Sequence, residues 1–446
     1  MSNELIDINS YLRMIGLDVS NRNTTWDLTT SKTIKPSLNN TIRAIRALDI
    51  GVKRDTFADV ILISNLEGSE TLENWREGKL RESTLTFIRQ KISQDFNFDP
   101  GGEKIFDALS SIAEVNCFNP IVDWLETLKW DGQCRLNSWL PMIVACEPNE
   151  LNHYIGRLMI LGLVARALYP GTKFDYCIVL EGHQGCGKSS LVRMLASGPG
   201  ETYFADTPGL IGMDNKERAE LLCGKLLVEL AELSGMARRE SEEIKAFLTQ
   251  SSDRYRPAYG RVASDHPRTC IFIGTTNSVT YLSDPSGNRR FLPVKCGNID
   301  LAKFEKIRDQ LISEAVHVLN QICKSFVDSG VKVKPGYSLP YRISDEYLTL
   351  PTDLRLAAAE IVDERRHVDV MEESIKAILE STILRRHTDP AGFEYIKARD
   401  LIDALQDKLK RPVHGQGIGN HMKKLGWKYG HVGPRDKRDR GYTKKA

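Results

Sequence analysis

The stretch Glu181–Ser190, EGHQGCGKSS, restricts the fold of this 446-residue chain more than any other. An apolar, β-branched run, CIVL, stands before it, and a helix-compatible segment beginning at Lys188 stands after it. That order reads as strand, tight turn and helix, the repeating unit of an α/β fold. Glycine at 182, 185 and 187 lets backbone N–H groups close on an anion, and the helix N-terminus favours negative charge. The spacing G-x-x-x-x-G-K-S therefore points to a nucleoside triphosphate, taken as ATP, with Mg2+. Gly182, Gly185, Gly187, Lys188, Ser189 and Ser190 are the expected cradle. Lys188 is placed on the β/γ-phosphates and Ser189 on the metal.

Two more apolar runs follow, GKLLVELAEL (224–233) and RTCIFIGTTN (268–277), with helical stretches between them. Strands alternating with helices predict a largely parallel sheet. The first run ends in acids, so Glu229 and Glu232 are both candidates to hold Mg2+ and activate a water, with their division of labour open. Asn277 is expected at the tip of a strand lying between the glycine-rich strand and the acidic one. There it senses the γ-phosphate or orients the water. In DPSGNRRFLPV (284–294), Arg289 or Arg290 is placed to stabilise phosphoryl charge across a subunit boundary.

Whole-chain charge says little about partners. The formal net charge is +2, with 41% hydrophobic and 27% charged residues, the balance of a globular protein, so affinity for nucleic acid must come from local patches. Two patches stand out. Residues 242–268 carry Lys245, Arg254, Arg256, Arg261 and Arg268 interleaved with Tyr255 and Tyr259, the mixture of cations and aromatic faces that holds single-stranded DNA. Residues 408–446 carry twelve Lys or Arg against two Asp. Before and within this tail, MEESIKAILESTIL, FEYIKARDLIDALQ and GQGIGNHMKKLGWKYG read as three helices, followed by a β-wing. Lys423, Lys424, Lys428, Arg438 and Arg440 are the expected contacts there, with duplex DNA as a second partner.

Nine cysteines occur singly, with no C-x-x-C, which fits a reducing cytosol rather than a disulfide framework or a zinc site. The N-terminus lacks the pattern of a signal peptide, and YIGRLMILGLVARALY (154–169) is too short and too charged to cross a bilayer, so it reads as a buried helix. The expected divisions are 1–100 of unknown role, 101–170 helical, 171–325 the nucleotide-binding core, 326–369 a connector and 370–446 a basic DNA-binding module. NFDPGGEK (97–104) marks the first boundary.

The ordered blocks PSLNN, NPIVDWLETLKWDGQCRLNSWL, YPGTKFDYCIVLEGHQGCGKSS, LLVELAEL, IKAFLTQSSDRYRPAYGR, IFIGTTN and DPSGNRRFLPV, spread over roughly residues 30–300, resemble the virulence-associated protein E family. These are P-loop ATPases related to superfamily-3 helicases of phages, plasmids and genomic islands. The resemblance implies an α/β fold with an AAA+-like P-loop NTPase core, an α-rich N-terminal region and a C-terminal winged-helix-like domain. It also implies a homo-oligomeric ring, a hexamer, in the cytoplasm of a bacterial host, with a DNA-holding hairpin near 253–268. The implied activity is DNA-dependent ATP hydrolysis by a replicative helicase of a mobile element. The alternative is an NTPase switch or origin-binding initiator that does not unwind processively. Residues 1–100 show no zinc cluster and no acidic polymerase motif, so priming is expected from a separate primase or polymerase.

Overall fold

Short helical patterns in the N-terminal region, NNTIRAIRALDI and STLTFIRQKISQDF, become the helices Leu38–Ala47 and Glu82–Phe96 in the computed structural model. The structure describes residues 26–65, 78–198, 202–206, 210, 212–231, 238–256, 263–278, 281, 288–365, 370–381, 387–388, 393–409, 418–419, 422–423, 425–432 and 439–445. Both helices pack against a third, Gly102–Val115, which lies on a sheet that the sequence pattern did not signal. Its strands are β1 (Gly51–Asp55), β2 (Val60–Ser64), β3 (Gly78–Lys79) and β4 (Cys117–Phe118), in the order β3-β2-β1-β4. β1 pairs antiparallel with β2, Gly51 opposite Ser64, and parallel with β4. Helices still supply most of the regular structure in this region, and the α-rich expectation is extended by these four short strands. GVKRD lacks clean polar–apolar alternation because only Val52 and Asp55 of the strand are buried. The predicted boundary also moves. One apolar core runs from Trp26 through Phe96, Phe98 and Ile105 to Ala113, so NFDPGGEK is an internal turn built on positive φ at Asn97 and Gly101.

The β1–β2 turn anchors this layer to the central core. Asp55 Oδ1 accepts from the N–H groups of Phe57 and Ala58, fixing the turn. The Phe57 ring lies edge-on to Tyr203 at 5.5 Å, and Cys223 Sγ donates to the Ala58 carbonyl at 3.3 Å. Gly224 (φ +69°) sits beneath, where an added Cβ would fall 3.0 Å from both Cα and Cβ of Ala58.

The central sheet contains β5 (Cys177–Glu181), β6 (Phe204–Asp206), β7 (Leu227–Ala231), β10 (Ile271–Thr276) and β11 (Phe291–Lys295). Its order is β11-β5-β10-β7-β6 and every ladder is parallel. β5 and β10 are buried along their whole length, as expected for a sheet covered on both faces. Between β7 and β10 the chain forms the helix Arg238–Leu248 and an antiparallel hairpin, β8 (Ser252–Tyr255) and β9 (Ser264–Pro267). The apolar run at 154–169 lies in the buried helix Glu150–Leu168 and its C-cap, Tyr169, and among the described residues no helix is long and apolar enough to cross a membrane. Within that helix Arg166 is fully enclosed. Its guanidinium donates to the carbonyls of Thr172, Phe174 and Cys270, and burial pulls its pKa down to about 10. The Cys270 contact fixes the entry of β10 into the sheet.

The chain divides into two units: 1–233, 243–277 and 289–360 form the first, and 234–242, 278–288 and 361–446 form the second. In the second, the helices Val370–Glu380 and Ala398–Leu409 pack with a sheet of β12 (His387–Thr388), β13 (Phe393–Lys397), β14 (Lys428–Val432) and β15 (Asp439–Lys445), ordered β12-β13-β15-β14. FEYIK, expected to open a helix, is instead strand β13, and the helix starts at Ala398. Ile375, Ile396, Leu401, Leu405, Ile418, Met422, Trp427 and Tyr442 form its core.

Gly224→Ala places a Cβ in the left-handed region and against Ala58. It should lower stability by about 1–3 kcal/mol, read from urea unfolding. An unchanged midpoint would mean that the β1–β2 turn is not seated there.

Candidate functional site

Parallel pairing brings the carboxyl ends of β5, β7 and β10 to one edge of the sheet. Thr276 pairs with Glu181, and Ile273 pairs with both Ile178 and Glu229. The glycine-rich turn leaves β5 at this edge and enters the helix Lys188–Leu195. Gly185 and Gly187 take φ of +82° and +100°, which only glycine adopts without strain. The turn is held from both sides. Gly182 N–H donates to Thr276 O at 3.2 Å, Ile299 N–H donates to Cys186 O at 3.1 Å, and the His183 ring bonds Asn298 Oδ1 at 3.0 Å. A Cβ on Gly182 would meet Cys186 Sγ and the Cys296 carbonyl, each at 3.1 Å. Burial pushes the Cys296 thiol pKa up, so it stays protonated.

Lys188, only 8% exposed, folds back over this turn. Its ammonium donates to Gly182 O (2.8 Å), His183 O (2.9 Å) and Asn277 Oδ1 (3.0 Å), so three oxygens meet its three protons. Asn277 is thus at the strand tip, with β10 between β5 and β7 as the sequence predicted. One residue further along the helix, Ser189 Oγ donates to Glu229 Oε1 at 2.6 Å. Thr275 Oγ1 donates to the same oxygen at 2.7 Å. Glu229 is 1% exposed, and its other oxygen, Oε2, is buried with no hydrogen-bond partner among the described residues. A bare buried carboxylate oxygen beside a serine hydroxyl is a donor set that suits a hard cation such as Mg2+. Ser190 is exposed on the same helix, and Glu232 lies outside the described residues.

Arg289 (exposed) and Arg290 (half-buried) lie on the short turn Asn288–Arg290, before β11 begins. Because β11 runs parallel to β5, with Phe291 opposite Cys177, they stand at the edge of the sheet opposite the glycine-rich turn. Neither is brought to the Lys188 of its own chain.

The basic segment 242–268 changes most on folding. Lys245 is not a surface contact: it is 5% exposed, on the face of the helix Arg238–Leu248 that also buries Ile244, Phe247 and Leu248. Arg268 is buried too. It grips Asp253 through two bonds of 2.6 and 2.7 Å and lies over the Phe247 ring at 4.0 Å. Tyr255 packs on the His266 ring at 4.2 Å, and burial pushes its hydroxyl pKa up. Arg254, beside Asp265 at 3.3 Å, and Arg256 remain exposed on the hairpin, whereas Tyr259 and Arg261 lie outside the described residues. In the second unit Lys423, Lys428 and Arg440 are exposed, and Lys424 and Arg438 lie outside the described residues.

Sequence reasoning missed Thr275 and the His183–Asn298 clasp. The available signal for Thr275 was strand period: it stands two residues before Asn277, which directly follows β10.

An unpartnered buried carboxylate oxygen destabilises the empty site. Glu229→Gln should therefore raise the melting midpoint of the nucleotide-free protein, by about 1–2 kcal/mol in stability. A lower midpoint would show that Oε2 is satisfied in solution.

The family model for a virulence-associated protein E-like domain matches residues 125–330. It starts well inside the chain, so of the blocks of the resemblance PSLNN and the first residues of NPIVDWLETLKWDGQCRLNSWL fall outside it. A search of curated proteins returned no match. Among solved structures, the apo structure of the NrS-1 C terminal region (305–718) aligns at 14% identity over 90% of this chain and 98% of that one, with a TM-score of 0.47. The A form of the same region aligns at 14% identity over 92% and 99%, with a TM-score of 0.46.

Proposed function

Residues 125–330 match the virulence-associated protein E-like domain, and from that premise we propose that this chain is a DNA-dependent ATPase. It acts as a superfamily-3-like replicative helicase of a phage or other mobile element. The observation that carries the reading is the pairing of Lys188 with Asn277 and of Ser189 with Glu229 at the carboxyl edge of a parallel sheet. That edge is where open α/β sheets bind ligands, and the glycine-rich turn opening a helix is a P-loop in form.

Mg2+ bound beside Ser189 and Glu229 would neutralise phosphate charge and hold water at the site. The chain's own groups do the rest. The glycine-rich turn offers backbone N–H groups and the helix N-terminus to phosphate oxygens. Lys188 leaves neutral carbonyl acceptors for anionic phosphate oxygens, a charge-assisted exchange that favours binding. Asn277, freed from the ammonium, is poised to bond the terminal phosphate or an attacking water. Glu229 keeps its carboxylate where solvent does not reach it. Arg289 or Arg290 acts on the site of a neighbouring copy in a homo-oligomeric ring, a hexamer, because each stands at the wrong edge to serve its own.

Hydrolysis would be converted to motion by β10. The strand leads into Asn277 at the site and begins just after the β8–β9 hairpin, which presents Arg254 and Arg256 to single-stranded DNA. The C-terminal unit supports a winged-helix reading, with helices and a β14–β15 ribbon in the appropriate order, and engages duplex DNA through Lys423, Lys428 and Arg440.

Purified protein with Mg2+ should hydrolyse ATP faster when single-stranded DNA is added and displace a strand from a forked substrate. Lys188→Ala should abolish turnover and leave duplex affinity nearly unchanged. Turnover without displacement would favour a switch or initiator; no turnover with either DNA would defeat the proposal.

Replacing Lys423, Lys428 and Arg440 together by Ala should reduce the slope of log K against log salt for duplex binding by about 3. Truncation at 408 is the poorer test, because Ile418, Met422, Trp427 and Tyr442 belong to the core of that unit. An unchanged slope would remove this face from the duplex contact.

A further inference from the structure

Two hydroxyls converge on one oxygen of Glu229 while the other oxygen has none. Ser189 Oγ and Thr275 Oγ1 donate to Oε1 at 2.6 and 2.7 Å, and Oε2 is buried and unmet among the described residues. The asymmetry matters because a carboxylate turns about its last side-chain torsion, a broad two-fold rotation. With a single donor, either oxygen can take the bond and the plane is poorly fixed. With two donors arriving from different elements, the helix Lys188–Leu195 and strand β10, the plane is defined and one oxygen is held in reserve.

We propose that Thr275 is a positioning residue for the metal–nucleotide site: it locks the Glu229 carboxylate so that Oε2 stays directed at the place of the Mg2+ shell. This rests on the reading of the site as a Mg2+–nucleotide site.

The arrangement divides the labour of the two hydroxyls. Ser189 is on the nucleotide-binding helix and is expected to face the metal itself, so its geometry is committed to the ligand. Thr275 is buried, 6% exposed, in a strand flanked on both sides, and its hydroxyl donates to Glu229. It holds the carboxylate whether or not the nucleotide is present. β-Branching assists, since a threonine in a strand has few χ1 choices and its hydroxyl is aimed by the backbone. Thr275 stands two residues before Asn277, so the strand that presents the phosphate-facing amide also orients the metal-facing carboxylate.

The experiment compares wild type, Thr275→Val and Thr275→Ser by titrating Mg2+ against a fluorescent ATP analogue and following binding rather than turnover. Thermal unfolding of each nucleotide-free protein is recorded beside it. Val keeps the shape and removes the hydroxyl; Ser keeps the hydroxyl and removes the methyl. The expected result is that Val raises the Mg2+ concentration for half-maximal binding by about tenfold, and that Ser restores it to within about twofold of wild type. Nucleotide affinity measured in EDTA should be the same for all three. A Val protein that is folded and shows the wild-type Mg2+ dependence overturns the proposal. So does a Val defect of equal size in EDTA, which would mean general damage to the pocket. If Val fails to fold, the Ser protein decides: a Mg2+ dependence unlike wild type, with normal unfolding, overturns it. Failure of the wild type to bind the analogue with Mg2+ would overturn both this proposal and the site reading beneath it.

Discussion

Strand β10 is the member on which the remaining geometry depends. It is wedged between β5 and β7 with parallel pairing on both sides, so its register fixes theirs. Parallel ladders allow no hairpin return, and the connecting helices must cross outside the sheet. Every strand therefore ends at the same edge, and groups far apart in sequence, 182–189, 229 and 275–277, arrive there together. The buried Arg166 adds to this constraint by tying the Cys270 carbonyl, at the foot of β10, to the helix Glu150–Leu168. A charged group with no solvent survives there because three backbone carbonyls receive it.

Among the described residues, most of the site's buried polar groups are met by a neighbour, and Glu229 Oε2 is not. The Lys188 ammonium rests on two carbonyls and an amide, and Ser189 and Thr275 share one oxygen of Glu229. Hydrogen bonds to neutral oxygens are weak enough to exchange for charged ones. The unmet oxygen, Glu229 Oε2, is the type of local expense that folded proteins keep where a ligand is to be met.

The DNA-facing surfaces show how a charge count misleads. In 242–268, Lys245 and Arg268 were indistinguishable by sequence from Arg254 and Arg256. The helical face on which Lys245 falls, and the Asp253 carboxylate that receives Arg268, remove both from the surface. The long aliphatic stems of Lys and Arg let them sit in a core when the head group finds oxygen acceptors. The same limit hid the N-terminal sheet: β1 and β2 are short, half-exposed and stabilised by cross-strand partners, whereas amphipathic helices announce themselves locally.

The sequence by itself determined the strand–turn–helix at 177–195, the two further buried strands within 224–233 and 268–277, the place of Asn277 and the buried character of residues 154–169. Each follows from local periodicity, glycine placement or a fixed spacing, which are properties of neighbouring residues. Only the tertiary structure decided that Glu229 meets Ser189, that Thr275 shares that carboxylate, that Arg289 and Arg290 stand at the sheet edge opposite the glycine-rich turn, and that Lys245 is buried. Those outcomes depend on register, on which face of a helix is covered and on which edge of a sheet a turn occupies. Such quantities are set by contacts between segments tens of residues apart, and no single segment encodes them.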